Sequence, residues 1–316
     1  MAGAPARTGL YIRPMITILG PILLAVSALS AQSAPAASPS DSTIEQRIEA
    51  RIAAHPGARV AVAFRDLGRP DSLLLDADSS FHAASTMKVP VMIELFRQAD
   101  AGRLRLDQEI LLVNRFGSIV DGSPYQLSAA DDSDGSLYAL IGRRVSVRDL
   151  TRRMIVRSSN LATNALIELV GAPRAQATAL ALGATRIQVR RGVEDGKAFE
   201  AGLNNTTTAR DLAVLLTAIE RGTAASRASC DEMRGILEAQ EFDDAIPAGL
   251  PPGTRVAHKT GNITAVAHDA AIVYPAARPP YVLVVLTRGI ADRRAAHALI
   301  AEISRLVHEH ATTARR

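Results

Sequence analysis

The sequence predicts an α/β (α+β) fold: a five-stranded antiparallel sheet built from both termini, flanked by helices, with an all-helical domain inserted between its two halves. Three observations lead there. Two strand-like runs stand near the start (59–67 and 72–76), and three more near the end (255–260, 266–274 and 281–287). The links between successive strands are short, which favours antiparallel neighbours. Between the two groups, residues 101–220 are mostly helical in pattern, with loops.

In chain order, the first 33 residues read as an export signal. Arg7 and Arg13 supply a positive start, residues 15–29 are nearly all apolar, and small residues follow, so cleavage is expected at about 30–33. The apolar run is too short for a comfortable membrane span. Residues 34–42 are rich in Ala, Ser and Pro and read as a flexible leader. Ser42 and Glu45 have the spacing of a capping box for a helix carrying the stripe Ile44, Ile48, Ile52, stopped by Pro56-Gly57. The first two strands form a hairpin about 68–71. A helical pattern follows over 85–98. Residues 121–136, dense in Asp, Ser and Gly, read as a surface insertion. Helical stretches at 147–157 and 161–169 are separated by a Ser-Ser-Asn turn, and another helix is expected at 208–221. After the last strand, 292–310 is amphipathic, with Ala296, Leu299, Ile300, Ile303, Leu306 and Val307 on one side. The α/β part is thus expected at about 43–83 and 222–316, and the helical part at about 84–221.

Composition narrows the function. The 316 residues are 47% hydrophobic and 22% charged, enough for one large or two closely packed domains. The formal charge of +4 falls to +2 once the signal leaves, because two arginines and no acids go with it. That excess gives no reason to expect nucleic acid or an anionic membrane as partner. The single cysteine, Cys230, excludes an intrachain disulfide and a multi-cysteine metal site. The one close histidine pair, His308 and His310, is two residues apart, so the rings do not share a helix face; a solvated helix end is expected rather than a metal site.

Three short motifs carry chemistry. In Ser85-Thr86-Met87-Lys88 the serine and lysine lie on one helix face, one turn apart. A serine hydroxyl is a weak nucleophile until a base takes its proton. A lysine can serve only if burial or neighbouring cations lower its pKa. Ser158-Ser159-Asn160 stands on a turn between helices, and Lys259-Thr260-Gly261 at the end of a late strand. Singly, each is an ordinary helix face, turn or strand end. In this order they form the signature set of class A β-lactamases and penicillin-binding proteins.

The chain resembles the class A serine β-lactamases, within the penicillin-recognising serine hydrolases, from about Ser42 to His310. Besides the three motifs, residues 154–164, His258-Lys259-Thr260-Gly261, Phe199-Glu200-Ala201-Gly202-Leu203-Asn204 and 206–212 are similar to family segments. The resemblance implies the following roles. Ser85 attacks the β-lactam carbonyl, with its own backbone N–H and that of Asn262 as the oxyanion hole. Lys88 orients the nucleophile and moves its proton, and Ser158 relays a proton to the departing nitrogen. Asn160 binds the substrate's side-chain amide, while Lys259 and Thr260, beside Gly261, bind its carboxylate. Glu200 activates the deacylating water and Asn204 holds it. No cofactor or metal is implied, and the family suggests a monomer, secreted or periplasmic.

Three departures stand out. Ser159 replaces the usual aspartate of the middle motif. Ser85 and Ser158 are 73 residues apart, longer than the family pattern, with the extra length around 121–146. The omega-loop segment 202–206 is compressed, and Asn205 stands where an aspartate is expected. Glu194, shortly after Arg191, is therefore a rival for the deacylating carboxylate, although Glu200 is preferred for its Leu-Asn partner. The expected function is β-lactam hydrolysis. The alternatives are a slow-deacylating D-Ala-D-Ala peptidase or esterase, and an inactive binding domain on the same fold.

Overall fold

The computed structural model describes residues 42–313; the expected signal, 1–33, and nearly all of the leader lie outside the described residues. The first helix, α1 (Ile44–Ala53), begins one residue later than the Ser42 cap predicts. Thr43 is the cap. Its hydroxyl accepts from Gln46 N at 3.3 Å, and the Gln46 side chain accepts from Thr43 N at 2.9 Å, so glutamine completes the box in place of Glu45. The hairpin β1 (Arg59–Asp66) and β2 (Ser72–Leu75) follows. Next come β3 (Phe81–His82), a 3₁₀ turn over Ala84–Met87, and α2 (Lys88–Asp100).

The inserted part runs through β4 (Glu109–Leu111), β5 (Phe116–Gly117), β6 (Pro124–Tyr125), a 3₁₀ turn over Gly135–Leu140, β7 (Arg144–Ser146), α3 (Val147–Val156), α4 (Asn160–Val170), α5 (Ala172–Ala181), α6 (Gly196–Glu200), β8 (Thr206–Thr207), α7 (Ala209–Glu220) and α8 (Arg227–Glu238). The chain ends in β9 (Arg255–Ile263), β10 (Val266–Tyr274), β11 (Tyr281–Arg288) and α9 (Arg293–Thr312). The five long strands form the single antiparallel sheet that the sequence pattern predicts, and the structure sets their order as β2-β1-β11-β10-β9.

Both faces of this sheet are covered, and strand alternation sorts the side chains between them. Val60, Val62 and Phe64, with Leu283 and Val285, pack against Ile48 of α1 and Leu299, Ile300 and Ile303 of α9. Ala61, Ala63, Val282 and Val284 face the other way, toward Leu215 of α7, Met233 of α8 and the helical domain. On β9 the same alternation turns Lys259 to the helical-domain side, in register with Ala270, and His258 to the α9 side, in register with Ala271.

Three expectations need adjusting. Strand β9 continues through Ile263, so Lys259, Thr260 and Gly261 lie inside it. The stretch 121–136 is not wholly a surface insertion: Leu127, Asp132 and Asp134 are buried, the two aspartates because they have partners within the fold. His308 and His310 are half-buried rather than solvated, because Tyr281 OH meets His308 Nδ1 at 3.1 Å and Asp71 meets His310 Nε2 at 2.9 Å. No helix among the described residues is long and apolar enough to cross a membrane.

Candidate active site

Ser85 stands on the 3₁₀ turn, where side chains at i and i+3 eclipse, so the turn brings Ser85 and Lys88 to the same side. The turn is held at several points. Thr86 Oγ1 donates to Ala83 O at 2.6 Å, Ala83 N donates to Asn205 O at 2.9 Å, and the His82 ring accepts from Ala84 N at 3.0 Å. Strand β9 lies directly alongside. A Cβ on Gly261 would come within 3.0 Å of Ser85 N and 3.1 Å of Thr86 N, so this approach requires glycine. The two-residue hairpin after Ile263 pairs Ile263 with Val266. By the alternation of an antiparallel ladder, the next residue, Asn262, points its N–H away from β10 and toward the cleft.

Lys88 is 0% exposed, and its Nζ donates to Ser158 O at 2.6 Å, Ser158 Oγ at 3.1 Å and Asn160 Oδ1 at 2.9 Å. Burial pushes its ammonium down to about 7, against the pull of Asp132 and Glu194. Lys259, equally buried, donates to Ser158 Oγ at 3.0 Å and Thr260 O at 2.8 Å. Burial, helped by repulsion from Lys88, holds it well below the usual lysine range. The Ser158 hydroxyl thus accepts from both amines and keeps its proton free to donate elsewhere. The Ser85 hydroxyl makes no hydrogen bond among the described residues. Ser85, both lysines, Ser158, Asn160, Thr260, Gly261 and Asn262 are therefore brought together around one cleft.

The two glutamates separate. Glu194 lines the same cleft as Ser85, a space of about 370 Å³ with apolar walls from Val193, Phe199 and Ile263. Its Oε1 accepts from Asn160 Nδ2 at 2.5 Å. Although one edge opens to the cleft, the surrounding atoms desolvate the carboxyl and push its pKa up. Glu200 ends α6 on an exposed face, outside the residues that line the cleft. Asn204 is also turned away: its Oδ1 accepts from Arg191 Nη2 at 2.9 Å.

The loop carrying Glu194 is closed without the aspartate expected at position 205. Arg191 satisfies Leu203 O and Gly192 O as well as Asn204, and Asn205 Oδ1 accepts the backbone N–H groups of Arg190 and Arg191. From α4, Asn164 grips Val193 through N–H (2.6 Å) and carbonyl (3.0 Å). Backbone strain gathers here: Ala84, Ser158 and Glu194 all have positive φ, at 46°, 58° and 59°.

Three residues at the site carry no motif signal. Asp132 reaches the start of α4 from a polar stretch that reads as solvated. Asp244 and His297 line a second space of about 320 Å³ with Ser85, Ser158 and Thr260. His297 sits between Asp244 Oδ2 at 2.7 Å and the Asn262 side chain at 2.8 Å. Phe116, Tyr125 and Tyr138 stand apart from both spaces, where Phe199 and Phe242 supply the aromatic surface.

Fold and constellation together are those of the penicillin-recognising serine enzymes. The sequence model described as "Beta-lactamase enzyme family" matches residues 43–311, and the chain belongs to that family. Beta-lactamase AST-1 of Nocardia asteroides is 29% identical over 256 residues, covering 79% of this chain and 78% of that protein. Among solved structures, an ancestral class A β-lactamase (GNCA) superposes with a TM-score of 0.74 at 27% identity, covering 85% of this chain and all of the other. A point mutant of PBP-A, solved as an acyl-enzyme complex with penicillin G, gives 0.70 at 27% identity, with 84% and 95% covered.

Proposed function

We propose that this protein is an exported, monomeric class A-type serine β-lactamase that opens the β-lactam amide through a Ser85 acyl-enzyme and releases it with water activated by Glu194. The observation that carries the reading is a line of hydrogen bonds from Lys88 through Asn160 to Glu194, beside an unbonded Ser85 hydroxyl. In acylation, neutral Lys88 takes the Ser85 proton as Oγ adds to the carbonyl carbon. The oxygen of that carbonyl gains charge between the N–H groups of Ser85 and Asn262. As the ring C–N bond breaks, Ser158 passes its proton to the nitrogen and takes up the proton that Lys88 received from Ser85. Lys259 and Thr260 hold the substrate carboxylate at the edge of β9. In deacylation, Glu194 takes a proton from water; a carboxyl pushed up by desolvation is a better acceptor than an ordinary one.

A second reading rests on the compressed loop. The Asn204 amide, which the family pattern would use to hold water, is occupied by Arg191. An enzyme that acylates readily and releases slowly fits that geometry, with a D-Ala-D-Ala peptide end or an ester as substrate. A PBP-A mutant of similar fold has been solved as an acyl-enzyme complex with penicillin G.

One experiment separates these readings and the two glutamates. The wild type should hydrolyse a chromogenic cephalosporin over many turnovers, and Ser85→Ala should not. Glu194→Gln should form the adduct at near wild-type rate, then accumulate it by mass spectrometry with turnover reduced on the order of a thousandfold. Glu200→Gln should behave as wild type. A stable adduct in the wild type would favour the slow-release reading, and stalling in Glu200→Gln alone would remove Glu194 from the mechanism.

A further inference from the structure

Ser159 stands where the class A pattern has an aspartate, yet a carboxylate occupies that part of the structure. It comes from Asp132, 27 residues earlier, on the segment between β6 and the 3₁₀ turn Gly135–Leu140. Asp132 is 8% exposed. Its Oδ2 accepts from Asn160 N at 3.0 Å and Leu161 N at 2.8 Å, and lies 3.2 Å from Tyr138 OH and 3.4 Å from Ser159 Oγ. Its Oδ1 accepts from Asp134 N at 2.9 Å.

Asn160 N and Leu161 N are the first two donors of α4, which have no partner within the helix. The helix already has an ordinary cap, because Ser159 Oγ accepts from Ala162 N at 3.2 Å. What Asp132 adds is a grip on the backbone between Ser158, held at φ 58°, and Asn160. The three hydrogen bonds from Lys88 and Lys259 to Ser158, and the Asn160 bridge from Lys88 to Glu194, depend on that backbone. The segment carrying Asp132 is itself fastened. Buried Asp134 pairs with Arg153 at 2.7 Å, and Ser133 Oγ donates to Arg157 O at 2.6 Å.

We infer that Asp132 is a positioning residue: it supplies from the inserted segment the carboxylate that Ser159 lacks, and holds Ser158 and Asn160 against Lys88 and Glu194. The inference deepens the proposed function and rests on Ser85 being the nucleophile.

The test compares Asp132→Ala, Asp132→Asn and Asp132→Ala/Ser159→Asp with the wild type. The readouts are the pre-steady-state acylation rate with a chromogenic cephalosporin, its pH profile, and the amide proton shifts of Asn160 and Leu161. Asp132→Ala should acylate more slowly by on the order of a hundredfold, the cost of a misplaced reacting group. Restoring a carboxylate at 159 should recover most of that loss. Asp132→Asn should also move the acid limb of acylation to lower pH, because Lys88 then keeps only Glu194 as a neighbouring anion, the adjacent Lys259 amine being itself held well below the usual lysine range. A merely stabilising residue would leave that limb in place. Wild-type rates in Asp132→Ala overturn the inference, as does a loss that Ser159→Asp leaves uncorrected. If the wild type itself fails to acylate, the functional reading fails instead. The amides of Asn160 and Leu161 then decide alone: an upfield move in Asp132→Ala upholds the grip, and unchanged shifts refute it.

Discussion

Lys88 is buried like a core residue, and the proposed mechanism asks it to handle a proton. Removing an ammonium from water costs several kcal/mol even after relaxation. Three oxygen acceptors, Asp132 and Glu194 offset part of that, but burial outweighs them and the balance falls at about 7. Lys88 is then free base above neutrality and ammonium below. The acylation rate should accordingly rise with pH along a limb centred near 7, falling about tenfold per unit well below it. Stopped-flow acylation between pH 5 and 9 measures this, and Lys88→Arg, whose guanidinium stays protonated, should lose the limb together with nearly all activity. The pairing of Ser85 with Lys88 was legible from their spacing, and so was the need for burial, from the apolar flank Met87, Val89, Val91. The strength of the shift was not, because it depends on the depth of burial and on Asp132 and Glu194, which only the fold brings near. The contest between glutamates shows the same limit. Glu200 has the better local motif, Leu203-Asn204, but the loop is closed by Arg191, Asn164 and Asn205, and it is Glu194, exposed on its open side, that lines the cleft beside Ser85.

At the scale of elements, β9 separates two buried charged systems on opposite faces. Lys259 serves the cleft. His258, on the face toward α9, lies 3.0 Å from Asp269 Oδ1 and 3.3 Å from Asp243 Oδ1. Burial alone would lower its pKa, but Asp269 and Asp243 outweigh burial and push it up to about 9. Asp269 Oδ2 also accepts from Ile246 N at 3.0 Å, which ties the segment after α8 to the sheet. A histidine with a raised folded pKa stabilises fully below its unfolded value of about 6.5, and that stabilisation is lost as pH rises through 9. Lys88 contributes with the opposite sign: its lowered pKa costs stability below about 7, and the cost is relieved as pH rises. The informative quantity is therefore the difference between the wild type and His258→Gln in urea midpoints. It should favour the wild type by up to about 3 kcal/mol at pH 6 and shrink toward pH 9.5. The strand itself was legible in the sequence, although it runs on past 260 through Ile263. The acidic partners of His258 were not, since Asp243 precedes the strand and Asp269 joins it only through the register that sets Asp269 opposite Thr260.

At the scale of the molecule, the sheet was readable because its strands are consecutive at each end of the chain and their covered faces leave near-continuous apolar runs. The inserted segment was not, because Asp132 and Asp134 look like solvated loop residues until α3 and α4 are placed beside them. One consequence follows from the topology. Strand β1 pairs with β11, and the face they share is covered by α1 and α9, so the start of the described chain has no finished core until its end arrives. Leu299, Ile300, Ile303, Leu306 and Val307 of α9 are all buried there. At about 1.5–3 kcal/mol for each such side chain, their burial amounts to roughly 7–15 kcal/mol. That equals the whole net stability of a typical domain, about 5–15 kcal/mol. A chain ending after Arg288 should therefore fail to fold, although every residue named at the active site except His297 is retained. Near-UV circular dichroism should show no fixed tertiary signal, and penicillin should not label Ser85. A milder cut in the packing, Ile303→Ala, should cost about 2–5 kcal/mol and lower the urea midpoint while leaving the acylation rate of the folded protein intact. A truncated chain that still acylates would show that the helical domain and the β9 edge hold the site without the far layer.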